Sequence, residues 1–152
     1  MKRIVIGSML GVLSGFFVGC ACKSKSVGTA ADSGANIPLE QAGPLKDVNF
    51  AFDSSKLDSR AMAIIRENAD WLKANPNVKV EIEGHCDERG TNEYNMALGW
   101  RRAKACYSAL INAGIDKNRL STISYGEERP LDPRSNEEAW AKNRRCFFRV
   151  IK

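Results

Sequence analysis

From Leu45 onward, the sequence alternates between two hydrophobic periods, and this alternation limits the folds that the chain can adopt. A two-residue period predicts half-buried β-strands, whereas a recurrence of about 3.6 residues predicts helices with one apolar face. Val48, Phe50 and Phe52 follow the first period and predict an opening strand. The elements predicted after it are a helix from Asp58 or Ser59 to Asn75, a strand at 78–83, a long helix that ends at Gly114, a strand at 120–125, a short helix at 137–142 and a strand at 146–151.

This order of elements, βαβαβ followed by a last strand, predicts an α+β fold. Its helices should pack on a sheet that mixes parallel and antiparallel strands. The chain has 152 residues, of which 43% are apolar, and this is enough for one ordinary hydrophobic core. We therefore predict a single folded domain over residues 45–152.

The N-terminus has the layout of a secretory signal peptide. Two basic residues precede an apolar run at 4–18, and small residues then lead to Cys20. This run is shorter than the roughly 20 apolar residues of a membrane-spanning helix. The segment Phe17, Val18, Gly19, Cys20 resembles a bacterial lipobox, which implies a signal at 1–19 and a lipid on Cys20. The alternative is an ordinary signal that is cleaved near Gly19 and releases a soluble protein.

Residues 20–44 form a separate segment, rich in Ser, Gly, Ala and Pro and without a hydrophobic period. We interpret it as a lipidated, flexible tether with a mean span of about 25 Å. Because Ala21 rather than Asp follows the cysteine, the resemblance to sorted lipoproteins implies an outer-membrane location.

The charge pattern argues against a nucleic-acid partner. The net charge is +5, but Lys and Arg are interleaved with Asp and Glu instead of forming a basic patch. The single histidine, His85, directly precedes Cys86, and consecutive side chains of a strand point to opposite faces. A catalytic Cys–His pair is therefore not expected, nor are an enzyme activity, a metal or a cofactor. We assign no function to Cys86, Cys106 or Cys146, among which at most one disulfide can form.

Two charged residues follow the second predicted strand. Asp87 lies just beyond its end and Arg102 lies in the next helix, so the two could face each other across a shallow groove. One interpretation is a structural ion pair, which at a surface contributes only about 0 to 1 kcal/mol. The other is a ligand site for a molecule that carries both an ammonium and a carboxylate group.

The stretch GHCDERGTNEYNMALGWRRA, with SYGEERP and AKNRRC downstream, resembles the OmpA-like C-terminal domain family over essentially all of 45–152. That family has a groove for the diaminopimelate of peptidoglycan stem peptides. By motif position, the resemblance implies that Asp87 and Arg102 are the principal charged contacts. Further contacts are implied at Phe52, Asp53, Asn95 and Leu98, with support from Arg144 and Arg145. For Leu98, a place in the hydrophobic core is an equally open alternative.

The resemblance also implies the partners. They are peptidoglycan, TolB and other Tol-system proteins, and the membrane through the lipid, with the domain on the periplasmic face of the outer membrane. A second interpretation is a protein-interaction module whose main partner is TolB or another envelope protein.

Overall fold

The computed structural model describes residues 44–151, which form three α-helices and a four-stranded sheet. The predictions for the signal at 1–19, for Cys20 and for nearly all of the tether at 20–44 lie outside this range. Between residues 44 and 151, no helix is both long and apolar enough to span a bilayer.

The elements follow the predicted order. They are β1 (Val48–Asn49), α1 (Ser59–Ala74), β2 (Lys79–His85), α2 (Asn92–Asn112), β3 (Leu120–Gly126), α3 (Glu137–Asn143) and β4 (Arg145–Ile151), with one turn of 3-10 helix at Lys117–Arg119.

The strand order across the sheet is β1-β4-β2-β3. β2 pairs with β3 in parallel, whereas β4 pairs with both β1 and β2 in antiparallel fashion. The prediction of a mixed sheet is therefore confirmed. Helices α1 and α2 pack with the sheet around one core, in which Ile65, Leu72, Ile82, Leu110 and Phe148 are almost completely buried.

Short polar side chains set the helix boundaries. Asp58 caps α1 by accepting a hydrogen bond of 2.7 Å from the amide of Ala61, which selects Asp58 from the two predicted caps. Thr91 caps α2 in the same way, through the amide of Tyr94. Gly114 follows α2 with a φ of 94°, a conformation that glycine adopts without strain, as the sequence predicted.

The first strand is shorter than the sequence predicted, because β1 ends at Asn49 instead of Phe52. Asn49 pairs with Arg145, the first residue of β4, so no strand residue of β4 remains to continue the ladder. The chain then turns, with the amide of Ser54 donating to the carbonyl of Ala51 and with Asp53 at a φ of 51°. Phe52 and Asp53 therefore lie in a turn and not in the sheet.

Two glycines let α2 lie directly on the sheet. A β-carbon at Gly84 of β2 would overlap the carbonyl oxygen of Gly99 in α2. A β-carbon at Gly99 would overlap the hydroxyl oxygen of Ser124 in β3. This close approach fixes the first half of α2 beside the end of β2, and the loop at 86–91 joins the two.

We expect Gly99→Ala to lower the free energy of unfolding by about 1 to 3 kcal/mol, because an overfilled contact forces the backbones apart. Alanine would otherwise favour the helix by about 1 kcal/mol relative to glycine. The exposed Ser108 of α2 supplies the control, since Ser108→Ala raises helix propensity without a new contact. Urea unfolding of both variants checks this, and a stabilised Gly99→Ala would contradict it.

Candidate functional site

A cleft with a volume of about 210 Å³ lies at the end of β2, next to the turn after β1 and the start of α2. We refer to it as the cleft. Its lining residues are Phe52, Asp53, Cys86, Asp87, Arg89, Gly90, Tyr94, Asn95, Leu98, Arg102 and Arg144. The structure thus brings together the residues predicted for the ligand site, with the exception of Arg145.

The carboxylate of Asp87 is one of two that line the cleft, and only 3% of the residue is exposed. Its Oδ2 atom lies 2.7 Å from Nη2 of Arg89 and 3.0 Å from Nη1 of Arg144. Burial acts to raise the pKa of Asp87, but the hydrogen bonds from the two guanidinium groups outweigh it and lower the pKa below its usual value. Asp87 is therefore ionised at neutral pH.

Arg102 is not the partner of Asp87 that the sequence suggested. It is completely buried, and its guanidinium donates to the backbone carbonyls of Ala51, Ser54 and His85 at 3.2, 2.8 and 2.8 Å. Together with a contact of 3.4 Å to the thiol of Cys86, these bonds use four of the five N–H donors. The structural ion pair between Asp87 and Arg102, one of the two interpretations of the sequence, is therefore not formed, and Arg102 is instead a buried cation bonded to backbone carbonyls.

The two neighbouring arginines at 144 and 145 have different surroundings. Arg144 contacts Asp87, and its other donors reach the carbonyl of Phe50 at 3.1 Å and the carboxylate of Glu137 at 2.7 Å. Arg145 instead lies 3.5 Å from Asp47 and is absent from the residues that line the cleft. Arg144 therefore braces the cleft, and Arg145 belongs to a separate ion pair.

Aromatic residues form one side of the cleft. Phe52 is 56% exposed, and the guanidinium of Arg89 lies 4.0 Å from the centre of its ring. The hydroxyl of Tyr94 donates to the carboxylate of Asp53, which joins the turn after β1 to the start of α2. This wall combines apolar surface with a second carboxylate.

Asn95 and Leu98 come from the first turns of α2. The side-chain amide of Asn95 lies 3.2 Å from the carbonyl of Asp87, 3.2 Å from that of Arg89 and 2.5 Å from the carboxylate of Glu127. It therefore holds the loop at 86–91 in place. Leu98 lines the cleft and is only 5% exposed, but it is not among the residues of the main hydrophobic core.

The side chains of His85, the last residue of β2, and of Cys86, which follows it, have different partners. The ring of His85 stacks on Tyr125 at 5.6 Å, whereas the thiol of Cys86 lies 3.2 Å from the carbonyl of Asn95. Burial raises the pKa of the Cys86 thiol to about 11, which keeps it protonated at neutral pH.

The main cleft residue that sequence analysis did not single out is Arg89. It lies two residues after Asp87 in the same loop, and this spacing lets its side chain fold back onto the carboxylate. Its guanidinium also lies 4.2 Å from the ring of Trp140 in α3. The two-residue spacing from Asp87 was the only signal for Arg89 in the sequence. It does not distinguish an arginine that is paired with a carboxylate from one that is exposed to solvent.

Known proteins resemble this chain in sequence and in architecture. The model described as the OmpA family matches residues 49–144. A peptidoglycan-associated lipoprotein of Brucella melitensis biotype 1 is 39% identical over 84% of this chain and 81% of its own length. One from Pseudomonas putida is 37% identical over 98% of this chain and 99% of its own length. The crystal structure of the peptidoglycan-associated lipoprotein from Burkholderia pseudomallei superposes with a TM-score of 0.67 at 37% identity, covering 69% of this chain and 89% of that one.

We expect Arg102→Gln to lower the free energy of unfolding by about 2 to 5 kcal/mol, because buried carbonyl groups lose their donors. The matched control is Arg101→Gln, since Arg101 is an exposed neighbour on the same helix. That variant should stay within about 0.5 kcal/mol of the wild type. Chemical unfolding measures both values, and equal stability of the two variants would show that the carbonyl contacts of Arg102 are dispensable.

Proposed function

The chain belongs to the OmpA family, and from this membership we propose that its folded domain binds peptidoglycan and catalyses no reaction. The domain would join the cell wall to the outer membrane as a lipid-anchored protein. The observation that carries this proposal is the buried, ionised carboxylate of Asp87 in a small cleft that also contains guanidinium groups.

The ligand that fits these charges is the diaminopimelate residue of a stem peptide. The free end of this residue carries an ammonium and a carboxylate group on one carbon, so it needs an anionic and a cationic partner close together. In our proposal Asp87 accepts hydrogen bonds from the ammonium. Arg102 faces the carboxylate with its one remaining N–H donor, which gives a single bond rather than a bidentate pair.

The apolar part of the ligand has its own partners in this proposal. Phe52 presents a half-exposed ring at the rim, and Leu98 presents a buried aliphatic side chain. The methylene groups of diaminopimelate would lie between them. Asn95 and Asp53 would act mainly on the shape of the cleft, since Asn95 holds the loop at 86–91 and Asp53 accepts from Tyr94.

The anchor in this proposal is a lipid on Cys20, after removal of the signal at 1–19, and the segment 20–44 is the tether. A tether with a mean span of about 25 Å keeps the domain near the membrane yet lets it reach the cell wall. The domain would face the periplasm. Support comes from the lipobox-like segment and from relatives that are named lipoproteins.

A protein partner, TolB or another member of a Tol system, is the second candidate. The observation that favours it is a set of aromatic side chains that remain exposed, namely Phe52, Tyr94 and Trp100. Exposed aromatic residues are enriched at protein interfaces. Because Phe52 and Tyr94 line the cleft, such a partner would compete with the stem peptide.

For the cleft, we expect Asp87→Asn to weaken binding of a diaminopimelate stem peptide by about 10- to 150-fold. This is the loss of one charge-assisted hydrogen bond of roughly 1.5 to 3 kcal/mol. The matched control is Asp70→Asn, because Asp70 is an exposed carboxylate of α1. Calorimetry measures the affinities, and a thermal melt tests whether each variant is folded.

A folded Asp87→Asn variant that binds the peptide like the wild type would exclude Asp87 as the ammonium partner. Co-sedimentation with isolated sacculi, with and without purified TolB, compares the two candidate functions. Binding to sacculi that TolB displaces supports both roles at one surface. Binding to TolB alone supports the interaction module.

For the anchor, we expect Cys20→Ser to abolish lipidation and to remove the protein from the outer membrane. The product should be either unprocessed precursor in the inner membrane or soluble protein. Cys22→Ser is the control and should fractionate like the wild type. Membrane fractionation without sacculi tests this, and a Cys20→Ser protein that stays in the outer membrane would refute lipid anchoring through Cys20.

A further inference from the structure

Arg89 occupies the carboxylate that the proposed ligand needs. Its Nη2 atom lies 2.7 Å from Oδ2 of Asp87, and its Nε atom lies 3.3 Å from Oδ1. The backbone amide of Arg89 also donates to Oδ1, at 3.2 Å. Both oxygens of Asp87 are therefore bonded from within the loop, and an incoming ammonium must replace the Arg89 side chain.

The guanidinium of Arg89 lies between two aromatic rings. It is 4.0 Å from the ring centre of Phe52 and 4.2 Å from that of Trp140. Trp140 is itself held by a hydrogen bond of 3.0 Å to the carboxylate of Glu88. Such cation–π contacts favour a charged group at this position. The cleft thus places one positive and one negative group where the two charges of a zwitterion would lie.

Arg89 differs from the other two arginines of the cleft in how it is held. Arg102 and Arg144 bond to backbone carbonyls and are almost completely buried. The guanidinium of Arg89 contacts Asp87, Glu137 and the two rings, all of which are side chains. About 31% of its side chain is exposed. It is the cation of the cleft that can leave Asp87 without breaking a bond to the main chain.

We propose that Arg89 is the residue that selects a zwitterionic ligand, by exchanging its ion pair with Asp87 for two ion pairs with the ligand. This inference rests on the proposed function. The ligand ammonium takes the place of the guanidinium at Asp87, and the released guanidinium binds the adjacent carboxylate. Arg144 stays on Asp87 throughout, since its bonds to Phe50 and Glu137 hold it there.

The charges explain why a simple cation would bind poorly. An ammonium without a carboxylate would displace Arg89 and would add a positive charge near Arg102 and Arg144. The displaced guanidinium would gain no partner from such a ligand. A zwitterion adds no net charge and supplies an anion that a guanidinium binds bidentately. Arg102, with one free donor, cannot supply that bidentate contact.

The test compares two peptides that differ by one carboxylate. One is a stem peptide with diaminopimelate, and the other has lysine at the same position and so keeps only the ammonium. Calorimetry gives the ratio of their affinities for the wild type and for Arg89→Gln. We expect the ratio to favour diaminopimelate in the wild type and to fall by about 10-fold or more in Arg89→Gln. The lysine peptide should bind the variant at least as tightly as the wild type, because no guanidinium competes for Asp87.

Two further variants make the result specific. Arg89→Lys keeps the charge but loses the bidentate geometry, so its ratio should lie between those of the wild type and Arg89→Gln. Arg101→Gln removes an exposed charge near Tyr94 and should leave the ratio unchanged. A merely structural role of Arg89 would weaken both peptides equally, and an unchanged ratio in a folded Arg89→Gln would overturn the inference. If the wild type binds neither peptide, the proposed function fails, and the inference fails with it.

Discussion

The buried guanidinium of Arg102 is the interaction on which the shape of the cleft depends. From α2 it reaches the carbonyls of Ala51 and Ser54 in the turn after β1, and the carbonyl of His85 at the end of β2. Taking a cation out of water is costly unless several acceptors replace its hydration. The carbonyl oxygens do this, and in return the guanidinium satisfies backbone groups of segments that lie far apart in the sequence. Through these hydrogen bonds, the position of α2 fixes the position of the wall that contains Phe52.

The close approach of α2 to the sheet makes that interaction possible. Gly84 and Gly99 allow the helix backbone to contact β2, and the loop at 86–91 must then turn sharply into α2. This turn buries Asp87 near Arg144, whose guanidinium is fixed by the carbonyl of Phe50. A carboxylate with a fixed cationic neighbour stays ionised when it is shielded from water. Asp87 therefore keeps its negative charge whether or not a ligand is present.

The order of helices and strands could be predicted from the sequence because each element has its own hydrophobic period and its own capping residue. The end of β1 could not be predicted, because it depends on the residue at which β4 begins, and no pattern around Phe52 indicates that residue.

The family motif predicted which residues lie in the cleft, but it did not predict which groups their side chains contact. The motif placed Asp87 and Arg102 at one site, but three-dimensional contacts assign Asp87 to Arg89 and Arg144, and Arg102 to carbonyl groups. Arg144 ends α3 and contacts Asp87, whereas Arg145 begins β4 and lies near Asp47, and the sequence motif does not distinguish these two neighbours.

Most residues that the family motif assigns to a ligand also hold the fold. Asn95 bonds to the carbonyls of Asp87 and Arg89, and Arg102 bonds to backbone on both sides of the cleft. A substitution at such a residue changes the shape of the site and its chemistry together, so weaker binding would not by itself identify a ligand contact. Arg89 is different, because its guanidinium bonds to the side chains of Asp87 and Glu137 and not to the main chain. A substitution of Arg89 can therefore test ligand selection without changing the shape of the cleft. The hydrogen bonds of Arg102 to backbone carbonyls, which set that shape, remain when the Arg89 guanidinium is removed.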